Sequence, residues 1–244
     1  MQVNEINQKL NKFGYCILSN HQITTPKDLL EFTKKICNVC SIAKEYPDVI
    51  RVAKDGFLDK KDIPWHSDGG YLNEVFYSFL LNVENMEKVP TLFLDTHLIV
   101  QDFLDLKEVK NAKFKFKFKD VKYDLDKPRS ENFGWFYNNS FESHFKENKI
   151  SVIKDKSIYR VHPISKLPCL FLSANYIKST SSKNINILLE KISTKHEDLN
   201  KYIVNINIQK KDLIIYDNFR MLHSRPSLHN TTFNREMWRT TGYL

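Results

Sequence analysis

Three side chains in this sequence are of types that hold a transition metal. His66 and Asp68 flank one serine in the stretch IPWHSDGGYL, and His223 stands far downstream in IIYDNFRMLHSRP. On a strand, residues i and i+2 project to the same side. An imidazole nitrogen and a carboxylate oxygen at that spacing can address one point. The His-x-Asp pair alone is weak evidence, because surface turns often contain it. A second histidine just after a buried strand and a turn makes the set informative. Two histidines and one carboxylate on one face of an iron are the ligand set of non-haem Fe(II) oxygenases, with open positions opposite. Those positions suit a chelating co-substrate and dioxygen. The same ligands also suit zinc, as in a hydrolase, or a non-catalytic module with a metal-binding pocket.

These residues need strands to carry them. The segment KFGYCIL (12–18) reads as a first strand, and TTPKDLLEFTKKICNVC reads as a helix with Thr25 as cap and Pro26 in its first turn. Leu29, Phe32, Ile36 and Cys40 fall near helical spacing along it. FYSFLLNV (76–83) and TLFLDT (91–96) are strand-like, and HLIVQDFLDLKEV predicts a helix. In AKFKFKFKDVKYD, Phe114, Phe116 and Phe118 alternate with Lys115, Lys117 and Lys119, the pattern of a half-exposed strand. SIYRVHP and PCLFLSANY form two strands joined across ISKL. Ile185, Leu188, Leu189 and Ile192 mark a helix. YIVNINI, the apolar run DLIIYD and the closing NREMWRTTGYL add three strands. The pattern predicts a β-rich α+β fold with helices packed outside. One domain over 1–244 is expected, with the polar and aromatic segment around 120–150 as a lid or insert.

Composition narrows the class. The chain has 244 residues, 41% hydrophobic and 27% charged, as a globular protein has. It contains no apolar run of membrane-spanning length and no N-terminal secretory pattern, so no membrane partner is expected. Net charge is +8, but the lysines are scattered, so no nucleic-acid partner is expected. Cys16, Cys37, Cys40 and Cys169 include one C-x-x-C without a second pair; Cys37 and Cys40 read as small apolar side chains within a helix. Few cysteines and no signal point to the cytoplasm. Oligomeric state is not encoded in any motif.

Five motifs in order resemble the taurine dioxygenase (TauD/TfdA-like) family of Fe(II)/2-oxoglutarate-dependent oxygenases, within the clavaminate synthase-like superfamily. They are WHSDGGY, VPTLFLDT, YRVHPISKLPCLFLS, DNFRMLHSR and REMWRTT, and they span most of the chain. The resemblance implies a double-stranded β-helix (jelly roll) core. It implies that His66, Asp68 and His223 bind Fe(II) and that Arg235 grips the distal carboxylate of 2-oxoglutarate. A planar guanidinium does this with two parallel hydrogen bonds. Thr91 would add a hydroxyl to the same co-substrate. Arg239 and Arg225 would receive an anionic group of the substrate, and Tyr71 would line the pocket. The implied reaction consumes O2 and 2-oxoglutarate, yields succinate and CO2, and hydroxylates an unactivated C–H bond of a small anionic molecule, an amino acid or other carboxylate or sulfonate. Desaturation is the variant outcome. Asp68 itself matters, because halogenating relatives carry a small residue there. Val89-Pro90 departs from the family, which often places paired glycines before the threonine. His21, His97, His144, His162, His196 and His229 lack this pattern and read as structural, His162 belonging to the hairpin motif.

Overall fold

The computed structural model describes residues 3–39, 48–51, 62–68, 75–85, 89–103, 105–117, 152–172, 177–180, 182–194, 197–228 and 235–244. In chain order the elements are α1 (Val3–Phe13), β1 (Tyr15–Leu18), α2 (Pro26–Lys34), β2 (Asn38–Val39), β3 (Asp48–Arg51), β4 (Ile63–His66), β5 (Tyr77–Asn85) and β6 (Thr91–Asp95). Next come α3 (Thr96–Phe103), α4 (Leu106–Asn111), β7 (Lys113–Lys117), β8 (Val152–Ser157), β9 (Tyr159–Val161), β10 (Pro168–Leu170), β11 (Ile177–Thr180) and α5 (Lys183–Ser193). A 3-10 segment (Glu197–Tyr202) leads to β12 (Ile203–Ile206), β13 (Leu213–Asp217), β14 (Met221–Arg225) and β15 (Arg235–Tyr243).

Two antiparallel sheets form the core. The major sheet has the order β1-β13-β5-β15-β2, with β3 also on β15; the minor sheet has the order β12-β6-β14-β4. Neighbours in both sheets are distant in sequence, which is the mark of a double-stranded β-helix. Leu80, Phe93, Ile206, Ile214, Tyr216 and Met237 pack together between the sheets. On the outer face of the major sheet, Ile6 and Leu10 of α1 and Leu29 of α2 cover Phe79, Leu81, Leu213 and Ile215. On the outer face of the minor sheet, Ile99 and Val100 of α3 and Ile185, Leu188 and Ile192 of α5 join Trp65, Leu94 and Leu222. Strand β13 is therefore covered on both sides and buried at every residue, which explains its unbroken apolar sequence. No helix among the described residues is long and apolar enough to cross a membrane.

The structure shifts several sequence-based boundaries. Lys12 and Phe13 belong to α1, not to the first strand. That helix has only Ile6 and Leu10 on its buried face, too sparse a pattern to announce itself. Gly14 ends it at φ 78°, its N–H bonded to Leu10 O at 2.8 Å, and a Cβ there would lie 2.5 Å from Met221 Sδ. Helix α2 begins as expected, with Asp28 N donating to Thr25 Oγ1 at 3.2 Å and Thr25 N to Asp28 Oδ2 at 2.8 Å. It stops at Lys34, however. Cys37 is half-buried beyond the helix, because the chain turns there so that β2 can pair with β15. Cys40 lies outside the described residues. The helix expected over 97–109 is two helices, since the Asp105 side chain accepts from Lys107 N at 2.7 Å and caps a new start. Strand β7 places Phe114 and Phe116 in register with β8 and β11. Phe118 and the segment around 120–150 lie outside the described residues. The expected hairpin forms but its strands are shorter than read, β9 over Tyr159–Val161 and β10 over Pro168–Leu170, with His162 N donating to Leu167 O at 2.8 Å.

Candidate active site

The site forms where the two sheets face each other. Strand β4 ends at His66, which stands directly opposite His223 of β14. Their rings lie 4.0 Å apart, centroid to centroid. His66 Nδ1 is 2.8 Å from Pro64 O, and a carbonyl can only accept, so Nδ1 carries the proton. The lone pair is then on Nε2, where a metal could take it. On its other side β14 pairs with β6, which sets Phe93 opposite His223. Tyr216 lies 5.0 Å from both the Phe93 and His223 rings.

Asp68 does not continue the strand. It sits on a turn past the end of β4, so strand alternation is not what aims it. Asn218 positions its backbone instead: Asp68 N donates to Asn218 Oδ1 at 2.6 Å, and Asn218 Nδ2 donates to Asp68 O at 3.1 Å and to Val75 O at 2.9 Å. The carboxylate is held by the opposite sheet. Ser78 Oγ of β5 and Tyr216 OH of β13 each donate to Oδ2 at 2.7 Å. Arg239 Nη1 of β15 donates to Oδ1 at 3.0 Å. His223 Nε2 lies 3.6 Å from Oδ1. One donor atom from each of His66, Asp68 and His223 falls within 4.8 Å of the others.

Charge and burial prepare these groups to bind a cation. Burial pushes the Asp68 carboxyl up, but Arg239, the two imidazoles and the Tyr216 hydroxyl together outweigh it and hold the group below the usual carboxylate range. Burial lowers His66, and it lowers His223 to about 3 with help from the neighbouring His66. Both imidazoles are thus neutral near pH 7 and Asp68 is ionised, the forms that ligate a metal. Burial first, then Asp68, raises Tyr216 well above the ordinary tyrosine value, so it keeps the proton that it donates.

The other expected residues are placed unevenly. Thr91 begins β6, is 4% exposed, and its Oγ1 has no hydrogen-bond partner among the described residues. A buried unpaired hydroxyl is costly without a ligand, so it fits a co-substrate carboxylate. Arg225 is 4% exposed on β14, with Nη1 donating to Pro226 O at 3.0 Å. Arg235 opens β15 opposite Asn85, and its side chain lies outside the described residues. So does Tyr71. Arg239 lies against Asp68, as above. Of the histidines read as structural, His97 Nδ1 donates to Pro168 O at 3.0 Å, His162 is paired below, and His21 Nδ1 accepts from Ile23 N at 3.1 Å. His144, His196 and His229 lie outside the described residues.

Ser78, Tyr216 and Asn218 escaped the sequence reading. The one signal for Tyr216 and Asn218 was the run YDN, where hydrogen-bonding groups end an apolar strand; Ser78 had none. Also missed was the bracing of the turn that leads to His223. Asp217 Oδ1 accepts from Phe219 N at 3.0 Å and Arg220 N at 3.1 Å, while Oδ2 meets His162 Nε2 at 2.6 Å. Because Ser165 N donates to His162 Nδ1 at 2.9 Å, the proton is on Nε2 and points to Asp217. Arg220 Nε donates to both Asp95 oxygens at 3.0 Å, tying the same turn to the end of β6.

Comparison with known proteins identifies the family. The model of the family described as taurine catabolism dioxygenase TauD, TfdA family, matches residues 1–241. No curated protein sequence matches. Among solved structures, a taurine dioxygenase from Burkholderia xenovorans superimposes with a TM-score of 0.71 at 17% identity, covering 98% of this chain and 80% of that one. AAD-2 in complex with Mn(II) and N-oxalylglycine gives 0.65 at 18% identity, over 98% and 86% of the two chains. PvcB from Pseudomonas aeruginosa gives 0.69 at 14% identity, over 100% and 81%. The likeness to these structures concerns the fold; the family follows from the match along nearly the whole sequence. This chain belongs to the TauD/TfdA family of Fe(II)/2-oxoglutarate-dependent dioxygenases.

Proposed function

We propose that the chain, as a single domain, hydroxylates an unactivated C–H bond of a small anionic substrate, with His66, Asp68 and His223 holding Fe(II). The His–Asp–His cluster, with Asp68 buried, both histidines half-buried and the three donor atoms within 4.8 Å of one another, carries this reading. With Fe(II) and 2-oxoglutarate bound, O2 would be the oxidant, one of its oxygen atoms going into succinate as 2-oxoglutarate loses CO2 and the other into the substrate's C–H bond. The protein supplies position and exclusion of water. Arg235 and Thr91 bind the 2-oxoglutarate carboxylate remote from the metal. Arg239 and Arg225 receive the substrate's carboxylate or sulfonate, which is why an amino acid or related anion is the favoured class. The orphaned Thr91 hydroxyl supports the co-substrate assignment. The cytoplasm is the proposed compartment. Zinc hydrolysis gives no use for a second carboxylate site beside Thr91 and is the poorer reading.

The test is anaerobic titration of the protein with Fe(II) and 2-oxoglutarate, watching for the metal-to-ligand charge-transfer band. A band that appears with both and shifts with particular small carboxylates supports the proposal. Arg235→Leu should raise the requirement for 2-oxoglutarate far more than that for iron. Equal effects on both would remove Arg235 from the co-substrate site.

A further inference from the structure

Asp68 is surrounded by more donors than a metal ligand needs. A carboxylate offers about four acceptor positions over its two oxygens. Tyr216 OH and Ser78 Oγ occupy Oδ2, both at 2.7 Å. Arg239 Nη1 occupies one position on Oδ1 at 3.0 Å. One acceptor position is left, on Oδ1, the oxygen 3.6 Å from His223 Nε2. All these groups are buried: Asp68 is 2% exposed, Ser78 0%, Tyr216 1% and Arg239 5%.

We propose that Tyr216 and Ser78 are positioning residues that make Asp68 a one-oxygen donor to the metal. The inference rests on the iron-binding reading above. A carboxylate can grip a cation through one oxygen or two, and the second mode takes an additional coordination position. An Fe(II) oxygenase of this class needs the positions opposite its three protein ligands open, because 2-oxoglutarate chelates through two atoms and dioxygen needs a third. With both hydroxyls on Oδ2, that oxygen cannot turn to the metal without breaking two hydrogen bonds to an ionised group. Such bonds are the stronger kind. The two hydroxyls come from neighbouring strands of the major sheet, β5 and β13, which pair Tyr216 directly with Ser78. The clamp is therefore part of the sheet register and not of a loop.

The experiment compares the full-length protein with Tyr216→Phe, Ser78→Ala and the double variant, all anaerobically. Fe(II) affinity is measured by calorimetry, and 2-oxoglutarate affinity by the charge-transfer band. Freed Oδ2 should compete with the co-substrate. Fe(II) affinity should stay within about threefold of the parent while the Kd for 2-oxoglutarate rises about tenfold, and more in the double variant. Tyr216→Phe keeps the ring and its packing, so it separates the hydroxyl from the fold. Losses of equal factor for Fe(II) and 2-oxoglutarate would mean a merely structural role and overturn the inference. So would unchanged 2-oxoglutarate affinity in the double variant. A parent protein that takes up no Fe(II) would overturn the iron reading itself, a result visible before any variant is made.

Discussion

Arg239 and Asp68 pair in the interior, Nη1 to Oδ1 at 3.0 Å, with 5% and 2% of their surfaces exposed. They join the C-terminal strand of the major sheet to the turn that follows the minor-sheet strand β4. A buried ion pair adds little net stability while whole, but removing one partner leaves the other's charge uncompensated. Asp68→Ala should therefore lower the unfolding free energy of the metal-free protein by about 3 kcal/mol. Asp68→Asn, which keeps shape and some hydrogen bonds, should cost less. Urea denaturation of both variants checks this. A loss below about 1 kcal/mol for the alanine variant would show that Arg239 finds another partner cheaply.

Metal loading should stabilise the fold, because the proposed ligands link the two sheets through Asp68 and its partners. At a hundredfold excess over its Kd, a ligand specific for the folded state adds about 2.7 kcal/mol. Thermal melts with anaerobic Fe(II), or with Mn(II) as a slower-oxidising substitute, should show a higher Tm that depends on metal concentration. His66→Ala and His223→Ala should abolish that rise. A rise that persists in both variants would place the metal elsewhere.

The site was more legible than the helices around it. His66, Asp68 and His223 could be named because a metal ligand set is written in residue types, and ordered motifs gave the pairing across the chain. The means of holding Asp68 could not be read, since Ser78 is an ordinary strand serine and Tyr216 looks like one more apolar residue in LIIYD. Strand alternation suggested how Asp68 is aimed, but the strand stops two residues earlier and Asn218 does the aiming. Strands β5, β6, β13 and β15 were visible as β-rich runs. Helix α1 was not, because two buried apolar residues give too weak a period, and its stop depends on a contact between Gly14 and Met221 far along the chain.

Alkaline conditions should weaken the protein through Cys169. Burial, then the nearby Asp217, pushes this thiol up from 9.0 to about 12, and it is 0% exposed. A raised folded-state value means that the stability is intact below pH 9.0 and is lost as pH rises towards 12, since the unfolded thiol ionises first. At pH 10.5 the loss from this group should approach about 2 kcal/mol. Comparing urea midpoints at pH 8.5 and 10.5 in the parent and in Cys169→Ala isolates it. The variant should fall less across that interval; an equal fall would free Cys169 from the assignment.

The start of α2 offers a control remote from the site. Thr25→Ala removes the hydroxyl that accepts from Asp28 N and should cost about 1 kcal/mol. Turnover at low temperature should be unchanged. A large loss of turnover without a loss of stability would contradict the picture of this helix as outer packing.

The interleaved strand order has a consequence for biosynthesis. The early imidazole and carboxylate leave the ribosome without the strands that flank and hold them, since β13, β14 and β15 are made last among the described elements. Contacts between segments so distant in sequence form late and slowly. A nascent chain has the two early proposed ligands but no pocket for them, so capture of a ferrous ion at this site would belong to the finished protein and would serve as a chemical record that folding is complete.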